Sequence, residues 1–365
     1  MIRPDTKEMI GQMIMVGFRE ASLTATSPII RSLKEFSLGG VILYNITLKD
    51  YLEAKKKNPD LTREEAARLC PKNIISPDQL KRLTASLQKA SRIPPLIAVD
   101  MEGGQVSRLG PAAGFPEAPT PQFLGKKDDL SATTQAASII AVNLKRTGIN
   151  LNLAPVVDLS LNPEGLIARN GRSFGAHPDL VTRHARAFIQ AHRQQGILTT
   201  LKHFPGKGST GEDTHFEMAD VTSLYQEQEL SPFRQLIQEG RADLVMTAHI
   251  HHRGWDPDFP VTLSPIILKD LLRGKLGYAG VIISDDLLME AIIRQFSLEE
   301  ACLLAVQAGV DILLASNNSP QGDDPDLFRR MFEALWHGVE QGRISAEMIR
   351  AAGTRIMSLK KRLSI

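Results

Sequence analysis

The chain has 365 residues, of which 42% are hydrophobic and 23% charged, with 43 Lys and Arg against 41 Asp and Glu. That length and apolar content bury a substantial core without staples and exclude wholesale disorder. A net charge of +2 lacks the basic field that nucleic-acid binding needs, and no stretch approaches the roughly 18 apolar residues of a membrane span.

At the N-terminus, Asp5, Lys7 and Glu8 stand where an export signal needs an apolar run, so a cytoplasmic location is expected. The two cysteines, Cys70 and Cys302, show no metal-ligand spacing and suit a reducing compartment. Eight short runs rich in Val, Ile and Leu follow along the chain: Met13–Val16, Val41–Tyr44, Leu96–Asp100, Leu151–Pro155, Ile197–Lys202, Leu244–His249, Val281–Asp285 and Val310–Ala315. They are continuous rather than alternating, as strands covered on both faces are.

Helical patterns separate these runs. Residues 46–72, with Lys55-Lys56-Lys57, Asn58-Pro59 and Glu64-Glu65, read as a polar insertion after the second strand. Ser76-Pro77-Asp78 and Ser264-Pro265 are helix-start signals. Val181, Ala185 and Phe188 form one helical face. Residues 204–222 carry Gly206, Gly208 and Gly211 without an apolar period and read as a long loop. From Asp324 on, two further helices close the chain. Strands alternating with helices point to a (β/α)8 barrel or a doubly wound sheet. The number eight favours the barrel, as a single domain over 1–365. Asp100, His203, His249 and Asp285 end separate runs, and a barrel gathers such ends at one mouth.

Three segments carry candidate chemistry. Lys202-His203-Phe204-Pro205-Gly206-Lys207-Gly208 runs toward Glu212-Asp213-Thr214-His215. A carboxylate two residues from an imidazole can orient it and stabilise its charged form, so Asp213 and His215 read as a tunable acid/base pair. Gly206-Lys207-Gly208-Ser209 is not a phosphate-binding loop of the Walker type, which needs Ser or Thr directly after the lysine. Val281–Asp286 ends in two acids that point to opposite sides. Asp285 is a candidate nucleophile with Asp286 in support, or the pair caps a turn. Asp100-Met101-Glu102-Gly103-Gly104, with Arg108 beyond, can grip a polyhydroxylated ligand or simply form a turn. His249, His251 and His252 lack a third ligand by spacing, so packed histidines are expected there rather than a metal. Trp255 reads equally as a sugar platform or as packing.

Taken together, these segments resemble the bacterial β-N-acetylglucosaminidases of glycoside hydrolase family 3. The likeness rests on Leu201–Gly208 with Asp213-Thr214-His215, on Val281–Met289, on Val99–Arg108 and on Asn152–Asp158. It implies a retaining exo-glycosidase that releases terminal N-acetylglucosamine, peptidoglycan fragments being one source. Asp285 would be the nucleophile, His215 the acid/base and Asp213 its tuning partner. Asp100, Arg108, Arg172, Lys202 and His203 would contact the sugar, with Arg169 as a rival to Arg172. The expected partner is a small carbohydrate bound by a monomer, with no cofactor, metal, nucleic acid or membrane. A phosphorylase, a family β-glucosidase and an inactive sugar-binding barrel are the alternatives. Lys207, Gln105 and the 46–72 insertion depart from the family pattern.

Overall fold

A computed structural model describes residues 4–211 and 218–363. Each of the eight apolar runs forms a strand: β1 (Ile14–Val16), β2 (Gly40–Ile42), β3 (Leu96–Val99), β4 (Leu151–Asn152), β5 (Leu198–Phe204), β6 (Leu244–Thr247), β7 (Val281–Ile283) and β8 (Leu313–Ala315). Every residue of these strands is buried. That is why the runs do not alternate: the inner face packs on the barrel axis and the outer face on helices. Neighbours pair in parallel in the order β7-β6-β5-β4-β3-β2-β1-β8, and a parallel bridge from Ile283 to Ile312 joins the two ends of that order. The result is a (β/α)8 barrel.

Two asparagines explain how β4 can be so short. Asn150 Oδ1 accepts the Ile97 N–H at 2.7 Å, and Asn152 Oδ1 accepts the Met101 N–H at 3.0 Å. Side-chain amides thus take the ladder positions that a longer strand's backbone would fill.

The helix signals place their helices as read. Ser76 caps Pro77–Ala90, and the face of Val181, Ala185 and Phe188 is the buried side of Pro178–Gln194. Ser264 Oγ accepts the Ile267 N–H at the head of Ile266–Lys275. The closing pair is Leu327–Glu340 and Ala346–Lys360.

The insertion after β2 holds two helices, Leu48–Lys57 and Arg63–Leu69. The first has no fully buried residue. Its start is held by the Leu48 N–H on Asn318 Oδ1 at 2.9 Å and by Asp50 paired with Arg19. Cys70 and Cys302 are buried thiols. Among the described residues, no helix is long and apolar enough to cross a membrane.

Candidate active site

A cavity of about 570 Å³ lies at the C-terminal ends of the strands. Asp100, Arg108, Arg172, Lys202, His203 and Asp285 all line it, although they are scattered over 186 positions of sequence, from 100 to 285. Asp213 and His215 lie outside the described residues. A separate hollow of about 330 Å³, lined mainly by apolar side chains such as Phe115 and Phe123, gathers no such set of charges.

One wall is an ion-pair chain. Lys202 Nζ lies 2.8 Å from Asp100 Oδ1 and 2.7 Å from Glu102 Oε1. Arg172 grips Glu102 with both arms of its fork, at 2.8 and 2.7 Å. Burial pushes the Glu102 carboxyl up, but Arg172 and Lys202 outweigh it and hold the group well below the usual carboxylate range. For Arg172, the pull of Glu102 overcomes a burial penalty of the opposite sign. Glu102 therefore sets the position of both cations. Arg169, the rival, is exposed at the end of the short helix Leu166–Arg169 and does not line the cavity. Gly103 turns the chain after Glu102 at φ +107°, where a Cβ would sit 2.2 Å from the Pro119 carbonyl oxygen.

A second wall comes from β5 and the loop beyond it. His203 Nδ1 is 2.7 Å from Asp158 Oδ2, and both groups are buried. Burial drives the imidazole well below its ordinary value. A neutral ring must then donate Nδ1–H to Asp158, which leaves Nε2 as an acceptor. Asp158 Oδ1 also accepts the backbone N–H groups of His203 and Lys207, at 3.1 and 3.0 Å. The Lys202–His203 and Phe204–Pro205 peptides are cis. The glycines of this loop serve close packing rather than a phosphate: a Cβ on Gly208 would meet the Leu159 carbonyl oxygen at 1.7 Å.

Asp285 lies on the floor, just past β7. Burial pushes its carboxyl up, but the nearby charge of Lys207 above all holds it well below the usual range. The ionised form is therefore the favoured one. Asp286 moves oppositely, raised by burial, and accepts the N–H groups of Leu288 and Ser316 at 3.0 and 2.9 Å. Both acids line the cavity, against the expectation that they point to opposite sides, but Asp286 Oδ1 is taken up by the turn.

The three histidines near β6 do not converge on a common point. His249 bonds Thr262 Oγ1 and the Asp286 carbonyl, at 2.8 and 2.9 Å. His251 reaches the Asp256 carbonyl, and His252 stacks on Trp255 at 4.1 Å. Trp255 is packed by His252 and Tyr225. Among the described residues no cluster of His, Cys, Asp or Glu has metal-binding geometry. Glu102 and Asp158 lie inside sequence motifs that give no sign of their roles. Their partners lie 70 and 45 positions away, beyond the reach of spacing.

Residues 5–359 match the N terminal domain of glycosyl hydrolase family 3. The chain is 30% identical over 400 residues to a β-hexosaminidase A of Pseudoalteromonas piscicida, covering 98% of this chain and 61% of that protein. A β-hexosaminidase of Tolumonas auensis is 38% identical over 252 residues, covering 68% of this chain and 74% of the relative. Among solved structures, a glycoside hydrolase family 3 β-N-acetylglucosaminidase from a Paenibacillus species superposes with a TM-score of 0.84 at 33% identity. That match covers 98% of this chain and 62% of the other. The chain therefore spans less than two thirds of the first of these relatives and of the superposed structure.

Proposed function

This chain belongs to glycosyl hydrolase family 3, and we propose that it is a retaining exo-β-N-acetylglucosaminidase acting on small oligosaccharides, peptidoglycan fragments among them. The observation that carries the proposal is Asp285, an ionised carboxylate on the floor of a cavity whose walls are set with paired cations. An anion held ionised beside Lys207 is suited to attack an electron-poor carbon, and the names of the two relatives support the class of sugar.

In this reading Asp285 attacks the anomeric carbon while the glycosidic oxygen takes a proton, giving a glycosyl-enzyme. Water then attacks the same carbon, loses its proton to the acid/base, and frees Asp285. His215, tuned by Asp213, is the proposed acid/base; both lie outside the described residues. Lys202 and Arg172 donate to sugar hydroxyls from positions set by Glu102, while Asp100 and His203 Nε2 accept. The pre-set ion pairs spare the reorganisation that a flexible site would need.

The direct test is release of nitrophenol by purified protein from the aryl β-N-acetylglucosaminide and the aryl β-glucoside, each with and without phosphate. The proposal expects faster turnover of the N-acetylglucosaminide and free sugar as product. Preference for the glucoside, sugar 1-phosphate as the main product, or no turnover by folded protein overturns it.

A further inference from the structure

Beyond β5, three consecutive backbone N–H groups point into two buried carboxylates. Asp158 Oδ1 accepts the Lys207 N–H at 3.0 Å. Glu229 Oε2 accepts the Gly208 and Ser209 N–H groups, at 2.7 and 3.3 Å. Glu229 Oε1 takes the Ser209 hydroxyl and, at 3.3 Å, the Gln226 N–H. Glu229 is fully buried and has no cation partner among the described residues. Burial pushes its carboxyl up, and the bonds from Ser209, Gln226 and Gly208 oppose that push. Only an acceptor on both oxygens suits this place, because the amide of a glutamine would turn hydrogens toward N–H groups.

The same turn is closed from its other sides. Gly206 has φ +117°, and a Cβ on it would lie 2.7 Å from the Glu229 Cβ. The Thr210 hydroxyl donates to the Lys207 carbonyl at 2.9 Å, and the Tyr225 hydroxyl to the Pro205 carbonyl at 3.0 Å. The Lys207 N–H and carbonyl are thus both tied, and its buried side chain lines the cavity together with Asp285. A fixed ammonium beside a nucleophile acts unequally on the two steps of a retaining reaction. In the first step it favours the carboxylate that is to be consumed. In the second, the oxygen of water bonds to the anomeric carbon and the bond to Asp285 breaks. The electron pair of that bond returns to the carboxylate, and the proton of water goes to the acid/base. Negative charge then appears on Asp285, which was a neutral ester, where a cation already stands to receive it.

We infer that Glu229 is a positioning residue for the second step: it fixes the turn that presents Lys207 to Asp285, and so speeds release of Asp285 from the glycosyl-enzyme. Glu229 does not line the cavity and acts only through Lys207. The inference rests on the glycosidase reading given above.

The test uses dinitrophenyl β-N-acetylglucosaminide, whose good leaving group makes the second step limit kcat, while kcat/KM reports the first. In Lys207→Met, kcat is expected to fall about 30-fold and kcat/KM less than about threefold, so that KM falls too. Stopped flow should then show a burst of dinitrophenol equal to the enzyme present. Glu229→Gln should give the same split, with kcat down about tenfold. In the double variant, kcat should be no lower than in Lys207→Met, since one route carries both effects. Should Glu229→Gln not fold, Ser209→Ala, which removes the hydroxyl donor to Glu229 Oε1, is read in the same way, with kcat down about threefold. A fall of kcat and kcat/KM by one factor, or effects that multiply in the double variant, overturns the positioning role alone. Folded wild type that releases no dinitrophenol overturns the glycosidase reading, and the positioning role with it.

Discussion

Asp285 at the mouth of the barrel and the buried acids at its base are held in opposite ways. At the base, Asp311 receives Arg273 at 2.8 Å, Arg355 at 2.9 Å and the Ile282 N–H at 2.8 Å. Asp243 is clamped likewise by Arg193, Arg362, the Thr199 N–H and the Thr199 hydroxyl. These carboxylates are saturated and have nothing left for a ligand. At the mouth, the Asp285 carboxylate accepts a single hydrogen bond among the described residues, from the Asp286 N–H at 2.9 Å. Lys207 keeps it charged without occupying it through any ion pair. The same residue type is a rivet where its acceptor sites are filled and a reagent where they are open.

Substitutions that exchange these roles separate the two ends. Asp285→Ala should produce the largest effect, a loss of about 10⁴-fold or more in kcat on an aryl N-acetylglucosaminide, with sugar binding still measurable by calorimetry. Glu102→Gln should follow, with kcat/KM down about 100-fold, because Lys202 and Arg172 lose the anion that positions both. Asp311→Ala acts at the other end. It leaves Arg273 and Arg355 facing one another and should cost about 3 kcal/mol in denaturant unfolding, with kcat preserved. A fall in kcat that exceeds the loss of folded protein would break the division between the ends.

The smallest effect concerns pH. His192 stacks on Phe188, and its ring nitrogens meet the Phe188 carbonyl at 2.9 Å and the Asn152 amide at 3.0 Å. Nδ1–H must donate to the carbonyl, so Nε2 accepts from the amide and the ring is neutral. Burial lowers its pKa from 6.5 to about 4. Between those values the unfolded chain binds more protons than the folded one, so stability is full above about 6.5 and is lost as pH falls toward 4. Denaturant melts across that window should show this slope, shallower by up to one proton in His192→Gln.

Much of this was legible in the sequence. Continuous apolar runs gave eight strands because burial on both faces removes any need for alternation. The polar residues that end those runs gave the mouth, since a parallel barrel brings all its strand ends to one side. The insertion's helices were not legible. Leu48–Lys57 has no fully buried residue, and the insertion is held by the Thr62–Glu65 cap, the Arg19–Asp50 ion pair and the buried Leu61 and Ala66 rather than by a long apolar face. Glu102 and Asp158 were hidden for another reason: a buried acid's role depends on which cation or ring the fold brings to it, and Arg172 and His203 are remote in sequence. For Trp255 the sequence left two readings, and stacking on His252 favours packing.

The claim that Asp285 is the nucleophile is tested most directly by trapping. A fluorinated N-acetylglucosaminyl donor slows breakdown of a glycosyl-enzyme, so intact-protein mass followed by peptide mapping locates the bond. The account predicts one added sugar, on the peptide containing Asp285, and none in Asp285→Ala. A label on another residue, or no adduct from enzyme that turns over the aryl glycoside, would contradict it.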